Sequence, residues 1–125
     1  MQPRELVSAY VAAFNAGDQF GCLELYADDA TIHFMAKAYQ GREAIRHWLD
    51  QRFAAGAQIV RVTGVESAGA NTLTVHAAVT SKKLQAWRLG TINGRADVVL
   101  DGGCRISECR LGWDGLRGGA QSPDG

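Results

Sequence analysis

Three histidines are the residues of this chain best suited to move a proton near neutral pH, because imidazole titrates close to that pH. His33 lies between the apolar residues Ile32 and Phe34, so strand alternation turns its side chain away from theirs. His76 shares the polar positions of its predicted strand, and His47 adjoins the polar side of a predicted helix. Outward positions are therefore predicted for all three, although twist near a sheet edge could turn His33 or His76 inward.

The three cysteines offer neither a disulfide framework nor a zinc site. Cys22, Cys104 and Cys109 are odd in number and lack metal-ligand spacing, so free thiols and no metal are predicted. Cys109 shares the inward phase of Leu111, where apolar surroundings keep a thiol protonated and inert. The chain also lacks a Gly-x-Ser-x-Gly turn and a glycine-rich phosphate loop, which disfavours nucleophilic hydrolysis and nucleotide binding by those devices.

Composition limits the remaining function classes. The 125 residues include 13 basic and 13 acidic side chains, so the positive field that favours nucleic acid or anionic membranes is missing. The sequence has no long apolar run, and a cytoplasmic protein is predicted. One domain is expected over residues 1–117, followed by a disordered tail over 118–125 that is rich in glycine and has no apolar anchor.

Hydrophobic periodicity predicts helices first and a sheet afterwards. Apolar residues recur at helical spacing over 5–16, in a short segment after the cap residue Asp18, and again from Gly41 to Gly56. Strand patterns follow the second and third helices, with Gly102-Gly103 as a clear turn and Asn93-Gly94 as a competing one. The predicted strands cover residues 30–35, 59–65, 72–80, 84–91, 95–100 and 105–113.

This order of elements predicts an α+β fold in which the sheet wraps the helices to bury its apolar face. A cone-shaped, curved antiparallel sheet around three N-terminal helices would enclose an apolar pocket, in the manner of an α+β barrel. Helices and sheet would then position any functional side chain at the inner wall of the cone.

Four segments carry a family resemblance, namely Tyr10–Asp18, Leu25–Thr31, Gly41–Arg46 and Asp101–Ile106. Together they resemble the nuclear transport factor 2-like superfamily, in which ketosteroid isomerases and SnoaL-like polyketide cyclases are nearest in appearance. The resemblance spans about residues 4–113 and implies a homodimer through the outer sheet face. The interface residues expected on that face are Thr74, His76, Arg88, Glu108 and Arg110. It is specific for the fold, whereas the superfamily uses this scaffold for several reactions and for binding.

Ketosteroid isomerases combine a carboxylate base with a tyrosine and a protonated aspartic acid. The resemblance places that tyrosine at Tyr10, whose phenol would polarise an oxygen of the ligand; the alternative is a core tyrosine bonded to a neighbour. The base position falls on Phe34 and the second acid on Ala96. Asp97 follows one residue later, on the opposite strand face, so that only a β-bulge would bring it into the pocket as a catalytic residue.

Epoxide hydrolases of the superfamily use charged and polar groups on the long strands and the first strand. The matching positions here are all apolar: Ala77, Val79, Leu111, Ile32 and Phe34. The tripeptide Arg95-Ala96-Asp97 resembles that motif but falls on a later strand, so this constellation is not predicted.

The predicted pocket wall is apolar and suits a small aromatic or terpenoid-like molecule. Three hypotheses remain open: an isomerase, cyclase or lyase in which Tyr10 polarises an oxygen and Asp97 or a histidine moves a proton; a noncatalytic binder; or a dimeric interaction module whose cone is filled by Phe34 and Trp48. Nothing in the sequence requires a cofactor. The predicted ligand-binding residues are Phe14, Tyr26, Ile32, Phe34, Trp48, Val98, Cys109 and Leu111.

Overall fold

The computed structural model describes residues 2–115. The described residues form four helices and six strands. In order they are α1 Pro3–Asn15, α2 Gln19–Leu23, β1 Tyr26–Phe34, β2 Lys37–Gln40, α3 Arg42–Ala54, β3 Gln58–Gly69, β4 Thr72–Thr80, α4 Lys82–Ala86, β5 Ile92–Leu100 and β6 Ile106–Gly115.

Local capping defines the two ends of the first helical segment. The backbone N–H of Gln2 donates to Glu5 Oε1 at 2.7 Å, and Pro3 takes the first helical position, where its missing N–H costs nothing. Gly17 follows α1 with φ +69°, a left-handed conformation that glycine adopts without strain. Asp18 then accepts a hydrogen bond from the backbone N–H of Gly21 at 2.9 Å and starts α2, as predicted.

Asn15 fixes the end of α1 to the edge of the sheet. Its Nδ2 donates to the carbonyl of Ile59 at 2.8 Å, and its Oδ1 accepts from the backbone N–H of the same residue at 2.8 Å. One side chain thereby satisfies both backbone groups of a residue near the start of β3.

The six strands form one curved sheet in the order β2-β1-β6-β5-β4-β3. All neighbours are antiparallel except β1 and β6, which are parallel, so the sheet is mixed where an antiparallel one was predicted. A parallel pair needs a long crossover, and here α3 and strands β2 to β5 supply it. Within the described residues β2 and β3 are edges, so the sheet is not closed into a barrel.

The segment after β4 differs from its predicted strand. Of the segment predicted as a strand over 84–91, residues 84–86 complete α4 and residues 87–91 form the turn and loop that follow it. The start of α4 is capped by Ser81 Oγ, which accepts a hydrogen bond from the backbone N–H of Leu84 at 3.3 Å. Arg88 and Gly90 then adopt positive φ, which ends the helix and starts the return to β5. Asn93-Gly94 lies inside β5 and forms no hairpin, whereas Gly102-Gly103 does lie in the turn before β6.

The core lies between the helices and the inward face of the sheet. Ile45, Trp48 and Leu49 form the buried stripe of α3, and Leu6 and Phe14 are the buried positions of α1. No helix within residues 2–115 combines the length and the hydropathy needed to span a bilayer. The domain limit predicted at residue 117 and the tail predicted over 118–125 lie outside the described residues.

Candidate functional site

A cavity of about 880 Å³ lies between α1, α3 and the inward face of the sheet. Its wall is mostly aliphatic and aromatic, and Phe34 and Trp48 occupy part of it without filling the cone. Ile32, in contrast, is fully buried in the core and does not line the cavity. The other residues predicted for the pocket wall all line it: Phe14, Tyr26, Phe34, Trp48, Val98, Cys109 and Leu111.

Two phenols meet at the wall of this cavity. The hydroxyl oxygens of Tyr10 and Tyr26 lie 2.6 Å apart, and the two rings pack edge to face with centroids separated by 5.7 Å. Burial raises the pKa of both tyrosines well above the usual value, so both keep their protons at neutral pH. The hydrogen bond between them uses only one of the two hydroxyl protons, so the Tyr10 proton is free for a ligand when Tyr26 donates to Tyr10.

A cation and an indole form a second polar feature of the wall. The guanidinium carbon of Arg52 lies 4.6 Å from the ring centroid of Phe34 and 5.9 Å from that of Trp48. Arg52 Nε and Trp48 Nε1 are both buried and have no hydrogen-bond partner among residues 2–115. Sequence reasoning missed Arg52, although it lies four residues after Trp48 on the inward stripe of α3.

Asp97 lies on the sheet face opposite the cavity, which corrects its predicted catalytic role there. Its Oδ1 accepts a hydrogen bond from Thr74 Oγ1 at 2.9 Å and from the guanidinium of Arg95 at 3.3 Å. The pairing of β5 with β6 is regular through this position, so no bulge turns Asp97 inward. Its neighbours Ala96 and Val98 line the cavity instead.

The histidines also lie away from the cavity wall, as predicted from strand alternation for His33 and His76 and from the polar side of α3 for His47. His33 Nε2 is 2.8 Å from Glu108 Oε2, and His76 Nδ1 is 2.6 Å from Asp114 Oδ2. His47 is exposed on α3. Among the described residues the cavity wall contains no aspartate, glutamate or histidine. A proton-accepting side chain of those types is therefore not positioned to act on a ligand there.

His76 should make stability depend on pH. Its hydrogen bond to Asp114 raises the pKa of His76, so the charged pair contributes stability that is complete below the unfolded-state pKa of about 6.5 and is lost as pH rises through the higher folded-state pKa. We expect His76→Gln to destabilise the protein at pH 6 by less than about 1 kcal/mol, and by less still at pH 8.5. Urea unfolding at the two pH values measures the difference.

The partner residue provides the control. Asp114→Asn should reproduce the pH-dependent loss, and the double variant should add little to either single change because the two side chains form one interaction. Equal destabilisation by His76→Gln at both pH values would contradict the assignment.

The cysteine thiols behave as wall and core atoms. Cys22 and Cys109 are buried, and burial raises the pKa of each thiol to about 12. A thiol with that pKa is protonated at neutral pH and is a poor nucleophile. The nearby Asp97 and Glu108 carboxylates raise the pKa of Cys109 further.

The opposite face of the sheet is polar. Thr74, His76, Glu108 and Arg110 lie on it, whereas Arg88, which was expected there, follows α4 outside the sheet. The homodimer through this face and the cytoplasmic location both stay predictions.

The chain belongs to the SnoaL-like domain family, which it matches over residues 7–103. Its structure is also similar to solved structures of the nuclear transport factor 2-like fold, and the predicted fold is thereby confirmed. No curated protein matches the chain in sequence.

Three of the similar structures illustrate the range of this fold. A putative polyketide cyclase from Sinorhizobium meliloti has a TM-score of 0.74 at 18% identity, covering 90% of this chain and 100% of that one. An epoxide hydrolase/cyclase-like enzyme of pyran ring formation in the polyether salinomycin has a TM-score of 0.76 at 20% identity, covering 89% of each chain. The Mycobacterium tuberculosis protein RV0760c, in complex with estradiol-17β-hemisuccinate, has a TM-score of 0.73 at 18% identity, covering 91% of this chain and 95% of that one. At these identities the likeness establishes the fold alone.

Proposed function

We propose that this protein binds an apolar small molecule that carries an oxygen group, and that Tyr10 donates a hydrogen bond to that oxygen. The observation that carries the proposal is the Tyr10–Tyr26 pair at the wall of the 880 Å³ apolar cavity. A concave apolar site with a few fixed polar groups is typical of small-molecule binding. Tyr26 holds the Tyr10 hydroxyl in place, so the donor is oriented before the ligand arrives.

The residues around the mouth of the cavity also favour an apolar ligand. Met35, Trp87 and Trp113 line the cavity and are nevertheless 76%, 63% and 50% exposed. Large apolar side chains that stay in water around an opening are characteristic of ligand-binding grooves. A ligand that reaches into the cavity would cover part of this surface as well as the inner wall.

Catalysis of an isomerase, cyclase or lyase type in the same cavity is a second candidate function. It is favoured by the protonated phenol pair, because a preorganised donor in a water-poor site stabilises negative charge that develops on a substrate oxygen. The described cavity wall has no carboxylate or imidazole base, so such a reaction would depend on polarisation by Tyr10 and on a proton acceptor in the substrate or in bound water. The cyclase and cyclase-like neighbours fit this reading.

A binding experiment with oxygen-bearing and matching hydrocarbon ligands tests the proposal. Steroid, terpenoid and aromatic ketones, each paired with its hydrocarbon, would be titrated by calorimetry and thermal shift. We expect the ketones to bind more tightly than the hydrocarbons, and Tyr10→Phe to weaken ketone binding by about three- to tenfold, the value of one neutral hydrogen bond. Hydrocarbon binding should be unchanged.

Tyr39→Phe is the matched control, because Tyr39 lies on β2 outside the cavity wall. It should leave all affinities as they are. If no ligand binds the wild-type protein, cavity binding is overturned. If ketones bind but Tyr10→Phe has the same affinity for them, the cavity binds ligand without the proposed hydrogen bond.

A further inference from the structure

The charged side chains on the described part of the cavity wall are all cationic. Arg52, Lys83 and Arg95 line it, while no carboxylate does within residues 2–115. Arg95 is paired with Asp97 on the other face of the sheet, and the Lys83 side chain is exposed beside Trp87. Arg52 is the cation held most closely by apolar side chains, with the rings of Phe34 and Trp48 beside its guanidinium.

Two N–H donors of the cavity wall near Phe34 are buried and have no hydrogen-bond partner among residues 2–115. They are Arg52 Nε and Trp48 Nε1, and the two residues lie one helical turn apart on α3. A buried donor that has lost its water and gained no acceptor is unfavourable, so native proteins rarely keep one without a reason. Two such donors on neighbouring side chains therefore point to an acceptor that a ligand supplies.

Structural roles for Arg52 leave these donors unexplained. A cation in the last turn of α3 interacts favourably with the helix dipole, and the contact with Phe34 is a cation–π interaction. Neither interaction accepts a hydrogen bond from Nε, and neither gives the indole N–H of Trp48 an acceptor. A planar guanidinium is instead well matched to the two oxygens of a carboxylate.

We propose that Arg52 and Trp48 bind the carboxylate of an otherwise apolar small molecule, so that the cavity takes hydrophobic acids in preference to their neutral counterparts. This inference rests on the proposed binding function and specifies its ligand class. The low polarity of the surrounding wall strengthens an ion pair with Arg52 once the apolar body of the ligand has excluded water.

Acid–ester pairs test the inference. Estradiol-17β-hemisuccinate, abietic acid and retinoic acid, each with its methyl ester, would be titrated by calorimetry at pH 7.5 against wild type, Arg52→Met, Arg52→Lys and Trp48→Phe. We expect at least one acid to bind wild type at least about tenfold more tightly than its ester. Arg52→Met should abolish that preference, with a larger loss of affinity for the acids than for the esters. Arg52→Lys should keep part of the preference, and Trp48→Phe should reduce it several-fold.

Ligand-free stability separates a binding role from a structural one. Removal of Arg52 Nε, which is buried without a partner among residues 2–115, relieves a cost, whereas removal of the cation loses the contact with Phe34. Arg52→Met should therefore unfold within about 5 °C of wild type without ligand, so that a lost acid preference in this variant is an effect on binding. Equal affinities for acids and esters in wild type and Arg52→Met would overturn the carboxylate site and leave cavity binding intact. Absence of binding by every acid and ester would overturn both. Should Arg52→Met fail to fold, Arg52→Lys and Trp48→Phe decide by the same criterion.

Discussion

The Ala96→Phe variant is expected to lose ligand binding by more than about a hundredfold while keeping the fold. Ala96 lies on the cavity face of β5, between Val75 of β4 and Leu111 of β6. A phenyl group at this position projects into the space that the ligand would occupy, and loss of a buried ligand contact surface of this size costs several kcal/mol. Fluorescence titration with 1-anilinonaphthalene-8-sulfonate, an apolar anion, measures the loss.

Val99→Phe is the matched control for this experiment. Val99 lies on the same strand, but its side chain is on the opposite face and 36% exposed. It should bind the dye as wild type does. Near-UV circular dichroism of both variants distinguishes a filled cavity from lost packing, which would itself bind the dye. Wild-type affinity in a folded Ala96→Phe variant would show that ligands bind elsewhere.

Periodicity predicted most elements because the buried faces of this fold are regular. The stripe Ile45, Trp48 and Leu49 indicates α3, and the alternation around Val98 indicates β5. The segment that became α4 fails this test, since a five-residue helix is too short to show a helical period. Its structure depends on the Ser81 cap and on positive φ at Arg88, which are weak signals in a sequence.

Strand alternation predicted which way Asp97 faces, but it could not predict the contacts between elements that form the site. It placed Asp97 opposite its neighbours Ala96 and Val98, and the structure has that arrangement because β5 contains no bulge there. The contact between the Tyr10 and Tyr26 hydroxyls depends on the angle between α1 and β1, which no local pattern encodes. Arg52 was missed because a charged residue within an apolar stripe is usually read as solvated.

The described cavity wall contains cations, whereas the ketosteroid isomerase pattern has carboxylates. The positions that the resemblance assigns to carboxylates are Phe34 and Ala96, both on the cavity wall. The guanidinium of Arg52 lies over the Phe34 ring, so a cation lies beside the position that the resemblance assigns to the isomerase base. A site of this kind favours binding of an anionic group and disfavours abstraction of a proton by the chain itself.

Helix α3 has two roles, because it packs into the core and also lines the cavity. One side of its apolar stripe packs into the core through Ile45 and Leu49, which are both fully buried. Trp48 and Arg52 line the cavity from the same helix. The stability of the site is therefore coupled to how tightly the core side of α3 is packed.

Truncation of the core side measures that coupling. Leu49→Ala should lower the free energy of unfolding by about 3 kcal/mol, through lost burial and the cavity left behind. Urea denaturation with an unchanged slope would report it as a loss of stability alone. Gln51→Ala, at an exposed position of the same helix, should change stability by less than about 0.5 kcal/mol.

Because Leu49 does not line the cavity, ligand affinity of the folded Leu49→Ala protein should stay within a few-fold of wild type. A loss of stability below about 1 kcal/mol would mean that α3 is less tightly packed than its burial indicates, and its cavity residues would then be poorly positioned to hold a ligand.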